Sequence, residues 1–117
     1  ARGLIRRAFD YMEPDGMFRN VLDDPESFRE INFSQMLAYT LYRGVIDGWL
    51  PETVLEQADF LRQAAEKKVD RFGFVREACG APAFDKSGVS PEAQAFHLLM
   101  ETAACRAKGQ GGSYGKL

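Results

Sequence analysis

The chain has one histidine and two cysteines in 117 residues. A transition-metal centre needs several such ligands brought together, so no metal site is expected. Cys79 and Cys105 match neither a zinc nor a redox spacing. Both lie among apolar residues and are read as buried thiols. No apolar run approaches the roughly 18 residues that cross a bilayer, so no membrane partner is expected. Fifteen basic residues face seventeen acidic ones, for a formal net charge of −2. That balance leaves no positive surplus to hold nucleic acid. No signal-peptide pattern opens the chain. The first residue is Ala1, not Met, and further sequence is expected upstream of it.

What is present is a near-repeat. Asp15-Gly16-Met17-Phe18-Arg19 is echoed by Gly73-Phe74-Val75-Arg76, with Asp70 just before it. Gly73 lies 57 residues after Gly16, and Arg76 the same distance after Arg19. Asn32 and Ser90, 58 residues apart, each open a helical pattern. A period of this size with two helices in it describes a repeated helical hairpin.

The helices differ in kind. Residues 2–12 carry Leu4, Ile5, Ala8, Phe9 and Met12 on one stripe, and Pro14-Asp15-Gly16 stops them. Asn32 with Gln35 three residues on has the form of a capping box before a helix over 32–49. That helix is apolar on nearly every face, from Phe33 to Trp49, so it is expected to be buried on most of them. Pro51 suits the first turn of a second amphipathic helix over 51–68. Ser90-Pro91-Glu92 starts a fourth helix over 90–107, again apolar on most faces. The glycine-rich stretch 108–117 is expected to be a flexible tail.

The order is therefore amphipathic, buried, amphipathic, buried. Two long connections lead into the buried helices, and one short link leaves the first of them. Outer helices alternating with inner ones give this pattern, and all long loops then share one rim. The fold expected is all-α: residues 1–107 form two helical hairpins of a larger toroid, with short extended segments in the rim loops. Long ordered loops are uncommon and often functional, so any site is expected on that rim. Asp15 and Asp70 sit at turns, where short acids cap backbone amides.

The run Pro14-Asp15-Gly16-Met17-Phe18-Arg19-Asn20-Val21-Leu22-Asp23, followed by Glu30, Ser34, Met36, Ala38, Tyr39 and Arg43-Gly44, resembles the unsaturated glucuronyl and rhamnogalacturonyl hydrolases, glycoside hydrolase families 88 and 105. Gly88-Val89-Ser90-Pro91-Glu92-Ala93-Gln94-Ala95-Phe96 resembles the start of the last inner helix in one branch of them. Phe18 stands where that family commonly has tryptophan, Asn20 where it has glutamine, and Ile31-Asn32 where it has Thr-Ser. The likeness runs over about residues 4–107 and matches the C-terminal third of a typical member.

The resemblance implies an (α/α)6 barrel that removes an unsaturated uronic acid from the non-reducing end of lyase-generated oligosaccharides. An aspartic acid protonates the C4=C5 double bond, water adds at C5, and the hemiketal rearranges with loss of the glycosidic bond. That acid is expected upstream of this chain, so the piece alone should be inactive. The partners implied are the oligosaccharide and the remainder of the same barrel; no cofactor is implied.

The rim candidates follow from the resemblance. Arg19 is expected to fork onto a uronate carboxylate and Asn20 to bond a sugar hydroxyl. Met17 and Phe18 are expected to floor a sugar subsite. Glu92 and Gln94 are expected at the pore mouth, with His97 one turn further in. Each has a plainer role open to it: a rim ion pair, packing beneath a loop, a favourable helix start, a satisfied core histidine. Two other functions stay open, a non-catalytic helical-repeat interaction module and a different carbohydrate-active enzyme on the same toroid.

Overall fold

The computed structural model describes residues 2–80 and 86–109. Helix α1 (Arg2–Asp10) puts Ala8 into the core and leaves Leu4 77% exposed. Glu13 and Met17 then close a turn by main-chain bonds, with Gly16 at φ +89. The turn feeds β1 (Phe18–Arg19), which pairs antiparallel with β2 (Arg29–Glu30) in the register Phe18 to Glu30 and Arg19 to Arg29.

Helix α2 (Asn32–Ile46) starts where the sequence places it, but not by the expected cap. The carboxylate of Glu30 accepts the amide protons of Asn32 and Phe33 at 2.7 and 3.1 Å. Asn32 itself is the first helical residue. Gln35, expected as the partner in a capping box, is instead fully buried between helices. The helix ends three residues earlier than expected. Gly48, at φ +84, turns the chain so that the Gly48 amide reaches the Val45 carbonyl and the Trp49 amide reaches that of Gly44. Leu50 then folds back over Gly44, whose missing side chain makes room for it.

After Pro51 a 3-10 turn (Glu52–Val54) precedes α3 (Leu55–Glu66), so the regular helix begins later than the proline suggested. The second long connection repeats the first. Asp70 and Phe74 close the turn, Gly73 has φ +87, and β3 (Ala78–Cys79) pairs antiparallel with β4 (Ser87–Gly88). Helix α4 (Pro91–Gly109) is capped by Ser90, whose hydroxyl accepts the Ala93 amide at 3.0 Å. Lys108 and Gly109, expected in the tail, form its last turn; the rest of the expected tail, 110–117, lies outside the described residues.

Helix α2 is the centre of the structure, packed by both α3 and α4, which touch each other little. Gln35, near the start of α2, bonds the Ala93 carbonyl near the start of α4, so these two helices run in the same direction. Arg62 of α3 bonds Glu101 of α4, while Asp59, earlier in α3, meets Lys108 at the end of α4. Helix α3 is therefore antiparallel to both. Tyr42, Leu41, Leu61 and Met100 fill the space between, at roughly 1.5–3 kcal/mol for each large apolar group removed from water.

The two helices expected to be buried on most faces are each open along one side. Met36 and Trp49 at the α2 end of the chain are exposed, and so are Leu98 and Leu99 on α4. Neither cysteine is buried as expected. Cys105 lies on the open side of α4 and is exposed, and Cys79 in β3 is half-buried.

Candidate functional site on the connector rim

Both long connectors lie at one end of the helical layer and touch. The amide of Ile31, at the end of the first, donates to the carbonyl of Glu77 in the second at 2.8 Å. Glu77 takes φ +55 to present that carbonyl, a conformation that costs a residue with a side chain about 1–2 kcal/mol. The Sγ of Cys79 lies 3.7 Å from Oδ1 of Asn20.

Each connector is built on the same internal frame. Arg19 Nε donates to Glu13 at 2.8 Å, and Arg76 Nε donates to Asp70 at 2.6 Å. The turn glycine is held from the following inner helix. Ser34 donates to the Gly16 carbonyl at 2.5 Å, and Gln94 Nε2 donates to that of Gly73 at 3.0 Å. The repeat therefore extends to the acids at 13 and 70, a signal present in the sequence as an acid six residues before each arginine.

These contacts decide where the expected site residues stand. Met17 and Phe18 are fully buried, and Phe18 meets Phe33 with ring centroids 4.6 Å apart. Arg19 is half-buried, paired with Glu13 and bonded to the Ser27 carbonyl at 3.0 Å. The cleft beside it, about 420 Å³, also presents Asp10, Glu13 and Asp23, so the local charge is acidic. Asn20 is exposed at the end of β1, and Glu92 is exposed in the first turn of α4. Gln94 is committed through both side-chain atoms, its oxygen accepting the Val75 amide at 2.6 Å.

His97 stands half-buried where α2, α3 and α4 meet. Its Nδ1 lies 2.9 Å from Gln35 Oε1, while Gln35 Nε2 donates to Ala93. Since the Gln35 oxygen can only accept, His97 Nδ1 carries the proton and Nε2 the lone pair. Burial lowers the imidazole pKa, Glu101 opposes this and Arg62 adds to it. Sequence reasoning missed this pairing because Gln35 and His97 come from different hairpins.

The rim carboxylates are set by their neighbours. Burial pushes Glu30 up, against the pull of the amides of Phe33 and Asn32. Slight burial opposes ionisation of Asp15, but hydrogen bonds from Arg29 and the Met17 amide leave its pKa lowered. Among the described residues no group of three or more His, Cys, Asp or Glu side chains is placed to hold a metal ion, and no helix is long and apolar enough to cross a membrane.

No family model matches this chain, and no curated protein does. Solved structures do. A possible member of the GH105 family from Klebsiella pneumoniae subsp. pneumoniae superposes with a TM-score of 0.78 at 18% identity, over 89% of this chain and 30% of that one. A possible GH105 member from Salmonella enterica subsp. enterica serovar Paratyphi A gives 0.75 at 17% identity, over 93% of this chain and 31% of that one. The all-helical hairpin fold expected from the sequence is thus that of a segment of these structures. The chain spans about 30% of their length.

Proposed function

We propose that this chain is the C-terminal portion of a glycoside hydrolase that removes an unsaturated uronic acid from the non-reducing end of lyase-generated oligosaccharides, acting by hydration of the C4=C5 double bond. The observation that carries this reading is the superposition of nearly the whole chain on possible members of the GH105 family. The rim adds support, because its two connectors are long, braced by side chains of the inner helices, and lie at one end.

In this reading the acid that protonates the double bond stands on another part of the barrel. This chain contributes one arc of the rim. Asn20 and Glu92, both exposed, are the groups that meet sugar hydroxyls. Arg19, Gln94 and His97, each already hydrogen-bonded within the chain, hold the arc in shape, and Met17 and Phe18 support it from below. Pre-set polar groups of this kind lose little freedom when a ligand binds.

The test uses a disaccharide with a terminal unsaturated uronic acid, titrated into the isotope-labelled chain. Amide shifts confined to the neighbourhoods of Asn20 and Glu92, weakened at least several-fold by Asn20→Ala, are expected. No shift at saturating sugar would sink the rim assignment. Loss of the double-bond absorbance on incubation with the chain alone would refute the placement of the acid elsewhere.

A further inference from the structure

A cleft lies on the shoulder of the rim, between the first connector and the end of α3. Both of its walls belong to this chain. It stands between the two hairpins, apart from the open sides of α2 and α4. Its volume is about 240 Å³, below the roughly 300–1,000 Å³ of a drug-sized pocket, which suits a single ring.

Helix α3 supplies one wall. Phe60, Gln63 and Lys67 follow one another at three and four residues, so they share one face of the helix. The other wall is the turn at Pro14 and Asp15. That turn sits tight on α3 because Gly16 has no side chain: a Cβ there would lie 2.9 Å from Ala64 Cβ and 3.3 Å from the Phe60 ring. One edge of the ring is thus held by the turn, yet Phe60 stays 42% exposed. A ring fixed in this way is a platform, since the negative face of an aromatic attracts polarised C–H bonds.

The charges around the cleft are unequal. Arg29 bonds the Asp15 carboxylate, and Lys68 pairs with Glu77. Glu66, at the end of α3, is paired with Arg62. Lys67 and Gln63 are exposed, and among the described residues no carboxylate pairs with Lys67. Lys67, Lys68 and Arg29 against Asp15 and Glu77 leave one positive charge in excess. A bare phosphate gains little from it, because α3 ends here with its negative pole and Asp15 repels a dianion. A pyranose with a single carboxylate suits every wall. Its C–H face lies on Phe60 and its carboxylate meets Lys67. Its hydroxyls reach Asp15, which accepts, and Gln63, which both donates and accepts.

We propose that this cleft binds a saturated uronate residue of an acidic polysaccharide, at a site separate from the rim residues Asn20 and Glu92. Saturation matters. An unsaturated uronate has lost the C5 hydrogen and the C4 oxygen, so it offers Phe60 a poorer C–H face and the walls one hydroxyl fewer. The cleft therefore holds uncut chain. This inference stands on the walls of the cleft and does not need the hydrolase reading.

Titration of the methyl glycoside of glucuronic acid into the isotope-labelled chain tests it. An exposed ion pair adds little energy, so binding in the millimolar range is expected. Saturable amide shifts should gather at Asp15, Gln63 and Lys67, and the sugar's C–H protons should move upfield under the Phe60 ring. Lys67→Gln and Phe60→Ala should each weaken binding at least several-fold. Both side chains are exposed, and the amide spectrum checks that each variant folds. Methyl glucoside, which has no carboxylate, and inorganic phosphate, which has no ring, should shift α3 far less. So should the unsaturated disaccharide of the rim test. No saturable shift on α3, shifts as large with any of these three, or an affinity that Lys67→Gln leaves unchanged would each overturn the proposal. Shifts at Asn20 and Glu92 report on the rim alone, so either site can fail without the other.

Discussion

His97 shows how one side chain ties the protein to pH. Its Nδ1 proton is held by Gln35, and burial disfavours a second proton. The folded-state pKa is therefore below the unfolded value of 6.5. In that case the unfolded chain binds more protons in the window between the two values, so stability is full above about pH 6.5 and falls as the pH drops through that window. The melting temperature is expected to decline there, well before Asp15 and Asp70, whose pKa values are lowered from 3.8, begin to lose their share. His97→Gln, which keeps a donor for Gln35 but cannot titrate, should flatten the step that begins below pH 6.5; a step of unchanged size would assign it to another group. Arg19 teaches the complementary lesson. Its partner Glu13 was within reach of sequence reasoning, because the acid-to-arginine spacing recurs at Asp70 and Arg76. Gln35 was not, because nothing local distinguishes an interhelical glutamine from a capping one.

At the scale of elements, the two turn glycines make a controlled comparison. Both need a left-handed backbone, but only Gly16 also faces a neighbouring helix. Gly73→Ala should cost about 1–2 kcal/mol from the backbone alone. Gly16→Ala should cost roughly 1–3 kcal/mol more, since α3 must move to admit the methyl group. Denaturant midpoints at constant m-value measure both; equal losses would mean that the approach of Ala64 is of no consequence. The turns themselves were legible, because glycine leaves its mark at a fixed interval. The strand pairs β3 and β4 were not, since two residues carry no periodicity and their partners come from across a loop. The start of α2 falls where the sequence places it but rests on a different cap. Its amides are satisfied by Glu30, a residue of β2, and a cap lent by a strand leaves no mark in the usual three-residue spacing.

For the whole molecule, the alternation of half-apolar and fully apolar helices was enough to read the layered architecture, because burial on most faces requires neighbours on most faces. In a slice of such a toroid the same requirement leaves one side of each apolar helix open, as Leu98, Leu99 and Cys105 show. Among the described residues the two connectors are stitched main chain to main chain by the bond from the Ile31 amide to the Glu77 carbonyl. The stitch has a kinetic consequence. Ile31 belongs to the first hairpin, yet its amide is freed for solvent exchange only when the second loop lifts away. Deuterium uptake at Ile31 should therefore keep time with Val75, which Gln94 holds in that second loop, and not with its own sequence neighbours in β2. Uptake in step with Arg29 would show that the hairpins breathe separately. Otherwise this one amide serves as a clock, mounted on one half of the protein, for motions of the other half.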